Sequence, residues 1–335
     1  MSTASVLFTV GTTWNVSSDK VDKGRLTRNG QNLAVITAET AKELRETPAI
    51  RDQTLQMMRD WIQKNGDIRN VRQDDIFLLR FLRVKKYSIP VAQQTLLKYL
   101  NLRKFYPEIC QRLDWHEKKL HDLICSGYVA ISPVRDSKGR RVVVYNMSKF
   151  KPNEMTCWDM CRAHAVVYES LLEDPTFQVC GVTHVGDGSG VTSGHVTSWN
   201  PTDFARIIKW GEQSLPMRHK EFHMINVPSA VKYIIDFAVS RTTPKMAARL
   251  HIHSNINDLH LNIDPSCLPV EFGGDIPMQD MISYTKHFLE EQRNTVIALQ
   301  DMQLLSTRGI ITSRNTRDTK DGVSTEGSFR KLEID

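Results

Sequence analysis

Between positions 230 and 240 apolar residues recur at Val231, Ile234, Ile235, Ala238 and Val239. This i, i+3, i+4, i+7, i+8 spacing sets one helical face against a core. At roughly 100° per residue, Tyr233 and Phe237 widen the stripe to about 240° of the circumference, and only Lys232, Asp236 and Ser240 remain polar. The preceding Phe222-His-Met-Ile-Asn226 reads as a short strand. Val227-Pro-Ser229 reads as a break, with Ser229 a candidate cap. A helix this apolar needs nonpolar surroundings on more than one side. It is either buried in a large domain or a lid with an apolar cavity inside and a lipid surface outside.

The pattern elsewhere divides the chain. Residues 1–36 are polar without a sustained period and are expected to be disordered. Thr40-Ala-Lys-Glu43 fits a capping box opening a short helix that ends near Pro48. Helical spacing continues over 51–64, 74–84 and 90–105. From 127 the period shortens to that of strands, at 128–134, 141–146, 181–185, 222–226, 250–253 and 259–263. Helices are expected over 156–173 and 201–214, and the alternation implies a mixed sheet with helices packed on it. A terminal amphipathic helix is expected over 278–305, followed by a polar tail.

Composition narrows the class. A chain of 335 residues with 40% hydrophobic content can bury a sizeable core. It contains no apolar run of bilayer length and no leader pattern at its start, so a cytoplasmic protein is expected. Six scattered cysteines suggest reduced thiols. A net charge of +6 is mild for a nucleic-acid binder but sufficient for an anionic membrane if clustered.

Four blocks stand in order: Asp75-Ile-Phe-Leu-Leu-Arg-Phe-Leu-Arg83, Arg141-Val-Val-Val-Tyr145, Phe222-His-Met-Ile-Asn226-Val-Pro228 and Leu268-Pro-Val-Glu-Phe-Gly-Gly274. Together they resemble the CRAL-TRIO (Sec14-like) lipid-binding family, in its branch of tocopherol transfer, retinaldehyde-binding and clavesin proteins. The resemblance implies an α/β fold: an N-terminal helical domain over 37–115, and a mixed β-sheet bowl over 116–277 holding one hydrophobic ligand. A C-terminal helix would follow over 278–305 and a flexible tail over 306–335. The helix after Pro228 becomes the gate over an apolar cavity.

The same resemblance assigns residues. Tyr145 would line the cavity from its strand, and Cys161, His164 and Tyr168 from the 156–173 helix. Val182, Gly186 and Phe222 would come from neighbouring strands, Ile207, Trp210 and Met217 from the 201–214 helix and its exit, and Ile234, Ile235 and Val239 from the gate. His164 and Tyr168 replace small hydroxyl residues of the tocopherol transfer branch, and Gly186 replaces a bulky aromatic. This disfavours tocopherol itself and suggests a polar ligand end near His164, unless the two side chains simply satisfy each other. Phosphoinositide headgroups would meet Arg218, Lys220, Lys245 and Arg249, the last two one helical turn apart; Arg206 and Lys209, one turn apart on the preceding helix, could widen the patch but read rather as a solvated face.

Other chemistry fits poorly. Gly186-Asp-Gly-Ser-Gly190 lacks the third glycine of a dinucleotide loop, the Gly-Lys-Ser/Thr of a P-loop and the spacing of a nucleophile elbow, so the loop is expected to be structural. His251, His253, His260 and Cys267 lack paired metal-ligand spacing. The expectation is a monomeric, non-enzymatic carrier with no cofactor beyond its lipid, transiently membrane-associated and without nucleic acid. The alternative is a lipid-regulated adaptor.

Overall fold

The computed structural model describes residues 33–198, 207–208 and 211–311. The expectations for 1–32 and 312–335 lie outside them. Helix α1 spans Leu33–Glu43 and begins earlier than the capping pattern suggests. Thr40 sits inside it, its hydroxyl donating to the Ile36 carbonyl at 2.9 Å. Leu33 and Ile36 are buried against the turn at Gly139. Helix α2 (Pro48–Lys64) opens with Thr47 accepting from Ile50 N and proline in its first turn. After strand β1 (Ile68–Arg69), helix α3 (Asp75–Val84) is capped by Asp74, and α4 (Ile89–Phe105) follows.

Strands β2 (Val129–Ile131) and β3 (Arg141–Asn146) form the expected hairpin. A capping box of Thr156 and Asp159 opens helix α5 (Cys157–Leu171). Strands β4 (Val182–Asp187) and β5 (His219–Ile225), helix α6 (Ser229–Val239) and strand β6 (Leu250–Ile252) complete the sheet. Its order is β2-β3-β4-β5-β6, antiparallel only between β2 and β3. Alternation along the strands feeds two cores. Val129, Ile131, Val143 and Tyr145 face α5, whereas Ala130, Val142, Val144, Val185 and Ile225 face a smaller cluster around Phe272 and Met281.

Two expected elements differ. Positions 259–263 do not form a strand. Asn255 caps a short helix, Ile256–His260, and Leu259 and Ile263 are buried at i, i+4 spacing. Helix α7 (Met278–Ala298) ends before 305, and the chain turns into strand β7 (Gln303–Leu304), which pairs antiparallel with β1. Residues 306–311, expected as tail, are held in place by Gln94, which bonds Gly309 O and Ile311 N, each at 2.8 Å.

The N-terminal helices are fastened to the sheet layer by buried charge. Arg80, fully buried on α3, bonds Glu169 at 3.0 Å and Glu173 at 2.5 Å. Arg72 bonds Glu173 and Asp74, and Arg103 contacts Glu169. Breaking such a group on one side costs several kcal/mol, on the order of 3–5. No helix among the described residues is long and apolar enough to cross a membrane.

Candidate functional site: an apolar cavity with a polar wall

Between the concave face of the sheet, α5 and α6 lies a cavity of about 340 Å³, within the size range of sites that bury small ligands. Helix α6 does not pack on solid protein. Val231, Ile234, Ile235 and Val239 turn into the cavity, with Ile234 only 2% exposed, while Tyr233 on the opposite side is 69% exposed. The break before α6 rests on the glycine loop. A Cβ at Gly188 would sit 2.8 Å from Asn226 O, and Asp187 accepts from Asn226 Nδ2 at 2.9 Å. The loop therefore sets the backbone break ahead of α6, and Ser189 is spent on Asp187.

Of the residues singled out in sequence, Tyr145, Cys161, His164 and Tyr168 line the cavity, as do Gly186, Ile207 and Phe222. Val182 and Met217 do not. Both are buried in the packed core instead, Val182 where β4 enters the sheet beside Arg141 and His219. Trp210, Arg206 and Lys209 lie outside the described residues. Nor is the space over Gly186 empty, because a Cβ there would meet Met224 Sδ at 2.6 Å. Methionine, unbranched and adaptable, fills the gap that glycine leaves. The lining also includes Tyr128, His184 and His219, for which periodicity gave no signal. Cys161 is a weakly acidic thiol, pushed up by its hydrogen bond with Cys157 and by burial.

His164 and Tyr168 do more than satisfy each other. Tyr128 Oη lies 2.8 Å from His164 Nε2, and His164 Nδ1 lies 3.3 Å from Tyr168 Oη. Tyr168 Oη is 2.8 Å from Tyr145 Oη, which is 2.8 Å from His184 Nδ1, and His184 Nε2 is 2.9 Å from His219 Nδ1. Six side chains from four elements and the β2 entry thus form one continuous chain along the cavity wall. Burial pulls His164 and His219 down to about 4, with Arg249 adding to the effect on His219. His184 is depressed further by burial and its histidine neighbours. The chain is uncharged at neutral pH.

The cations fall into two groups. Lys220 is lowered to about 8, first by burial and then by Arg218, Arg140 and Arg249. These charges crowd one another, with Glu43 opposing them. Lys245 faces a different set: burial, then Lys98 and Lys245, depress Lys85, and Glu212 opposes the shift at both Lys85 and Arg249. Lys245 and Arg249 do not share a helical turn. The helix Pro244–Ala247 has ended, and Arg249 O already accepts from Phe222 N in the sheet. Arg218 and Arg249 each donate to a backbone carbonyl, of Val179 and His219 respectively, so Lys220 is the more available charge of the first group. Arg140, Lys85 and Lys98 come from remote segments and were not foreseeable by spacing.

The three histidines 223, 251 and 253 stack on the outer sheet face. Among the described residues no group of His, Cys, Asp and Glu is arranged to hold a metal.

This architecture is that of a CRAL/TRIO domain, and residues 126–274 match the CRAL/TRIO family model. The chain is 29% identical over 262 residues to the human (Homo sapiens) alpha-tocopherol transfer protein-like, covering 78% of this chain and 76% of that one. It is 27% identical over 277 residues to rat (Rattus norvegicus) clavesin-1, covering 82% and 78%. The crystal structure of Sfh5 superimposes with a TM-score of 0.50 at 14% identity, over 75% of this chain and 99% of that one, a likeness of fold.

Proposed function

We infer that the protein carries one hydrophobic molecule of lipid type and exchanges it at a phosphoinositide-bearing membrane surface, with α6 as the gate. The observation that carries this reading is the two-sidedness of α6, which has Ile234 and Ile235 in the cavity and Tyr233 in solvent. Opening such a helix exposes apolar surface to water, at roughly 25 cal/mol per Å², unless a membrane receives it. A relative named alpha-tocopherol transfer protein-like supports the lipid class.

The crowded cations beside β5 support the membrane partner. An incoming polyanion relieves the mutual repulsion of Arg140, Arg218, Lys220 and Arg249, and it favours the open state only insofar as it binds that state more tightly. Transfer of labelled tocopherol, retinoid or phosphoinositide between vesicles tests the reading. A carrier accelerates exchange, and more so with phosphoinositide in the acceptor vesicles. Binding without acceleration assigns the protein instead to lipid-regulated adaptors, and turnover of the lipid would sink both.

A further inference from the structure

Glu212 fastens the far end of α6. The chain leaves the helix through a turn in which Thr242 donates to Val239 O, from its N–H at 3.0 Å and from Oγ1 at 2.8 Å. Thr243 follows and donates to both oxygens of Glu212, from its N–H at 3.2 Å and from its hydroxyl. Glu212, Thr242 and Met246 line the cavity, so this latch closes the wall where α6 ends. One half of the latch is a hydroxyl within reach from outside, because Thr243 is exposed.

The surroundings of that hydroxyl suit a phosphoryl group. Thr243 is extended, at φ −71° and ψ 151°, and it precedes Pro244, which has no N–H to leave unpaired in a kinase groove. Serine or threonine precedes proline at three places in the chain, Thr47, Ser132 and Thr243. Ser132 is fully buried, and Thr47 caps α2 by accepting from Ile50 N at 3.2 Å. Around Thr243 the charges are unequal. Glu212 is bound to it and Lys245 follows two positions on, and both act on Lys85, which Lys98 and Lys245 repel and Glu212 attracts. A phosphate ester carries about −1.5 to −2 charges at pH 7. The carboxylate it replaces the bond to repels it, and the lysines attract it.

We propose that Thr243 is the acceptor of a proline-directed protein kinase and that its phosphate unlatches α6. In the transfer Thr243 Oγ1 bonds to the γ-phosphorus of a nucleoside triphosphate, and the bond from that phosphorus to the β,γ-bridging oxygen breaks. The nucleoside diphosphate leaves, and the hydroxyl proton passes to the kinase's general base. The ester has no proton to give Glu212, so the latch loses its hydroxyl half. Its phosphate turns to Lys85, Lys98 and Lys245 and takes the end of α6 with it. The consequence, easier exit of cargo, rests on the carrier reading above, whereas the loosening of α6 does not.

The test incubates the full chain with ATP and a protein kinase of the mitogen-activated class, maps the phosphate by mass spectrometry and follows backbone hydrogen exchange across α6 and Pro244–Ala247. Phosphate is expected at Thr243, with exchange in α6 about tenfold faster. Its phosphorus NMR signal should titrate below the ordinary second ionisation at about 6, because the lysines favour the dianion. Glu212→Ala, which breaks the latch without phosphate, should speed exchange to a similar extent, and phosphorylating that variant should add less than about twofold. A chain that takes phosphate only at Thr47, or not at all, overturns the site. Phosphate at Thr243 with exchange in α6 unchanged, or with a titration above 6, overturns the switch. If the protein binds no apolar probe while exchange still rises on phosphorylation, the carrier reading falls and the switch stands.

Discussion

His219 and Phe222 lie three positions apart on one strand yet line the same cavity, the imidazole stacked on the phenyl ring at 5.5 Å between centroids. In a regular strand an odd separation puts two side chains on opposite faces. The register shifts here: His219 pairs with Val182 and Glu221 with Thr183, so Lys220 is the extra residue of a bulge. The bulge serves both halves of the site. It turns His219 into the cavity to end the polar chain, and it places Lys220 among the cations outside.

Deleting Lys220 should therefore restore regular alternation and turn His219 out of the cavity. The expected result is a folded protein in which His219, no longer buried, titrates near the ordinary imidazole value of 6.5 rather than about 4 when followed by NMR. A His219 signal that still titrates near 4 would show that the bulge does not set its placement.

Lys220 also sets a pH dependence. Its folded value, about 8, lies below the ordinary lysine value of 10.5, because burial and then Arg218, Arg140 and Arg249 disfavour its charge. Below pH 8 the lysine is charged and available to a headgroup. Between 8 and 10.5 the folded protein holds fewer protons than the unfolded chain, so this group adds stability as pH rises while contributing less to anion binding. Association with phosphoinositide vesicles should weaken between pH 7 and 9, by several-fold beyond the trend of a Lys220→Ala variant. Identical pH profiles for the two proteins would remove Lys220 from the headgroup site.

Acid should act on the cavity wall. His164 and His219 titrate near 4 when folded and near 6.5 when not, so their neutral forms contribute stability that is fully present above 6.5 and lost as pH falls through 4. For each the loss by pH 5 is about 2 kcal/mol. Thermal melts between pH 7 and 5 should show a falling midpoint, with a shallower fall in His164→Phe, although that variant starts lower because Tyr128 and Tyr168 lose a partner. A slope equal to wild type would show that His164 is not the titrating group.

Much of this site was legible in the chain. The apolar excess of α6 marked a helix with the cavity on one side and an exposed aromatic, Tyr233, on the other, and the i, i+4 pair His164 and Tyr168 marked the polar wall. What escaped depends on register and on remote contacts. His184 looks like an ordinary strand residue until β3 brings Tyr145 to it, and His219 has the wrong parity without the bulge. Arg140 joins the cations only because the hairpin turn folds towards β5. Val182 fits an apolar wall by type, yet its place at the strand entry gives it to the core. Residues 259–263 misread as a strand because Leu259 and Ile263 suit either period, and Asn255 decides for a helix by capping Asp258 N at 3.0 Å.

The hinge before α6 offers a test of gating separate from cargo chemistry. Gly188 lets the backbone of Asn226 and Val227 approach so closely that a Cβ would sit 2.8 Å and 3.2 Å from their atoms, and Asn226 is held at a φ of 53° with Asp187 bonding its side chain. Gly188→Ala must push this segment outward, at a cost on the order of 1–3 kcal/mol, and the displacement falls on the connection into α6 rather than on the core. The expected phenotype is a modest drop in melting temperature together with faster spontaneous release of a bound apolar probe in the absence of membranes. Tyr233→Ala, on the solvent side of the same helix, should do the reverse: retention unchanged and vesicle association reduced several-fold, since the exposed ring no longer enters the bilayer. If Gly188→Ala releases its probe at the wild-type rate while melting lower, the hinge is structural only and α6 does not govern exit.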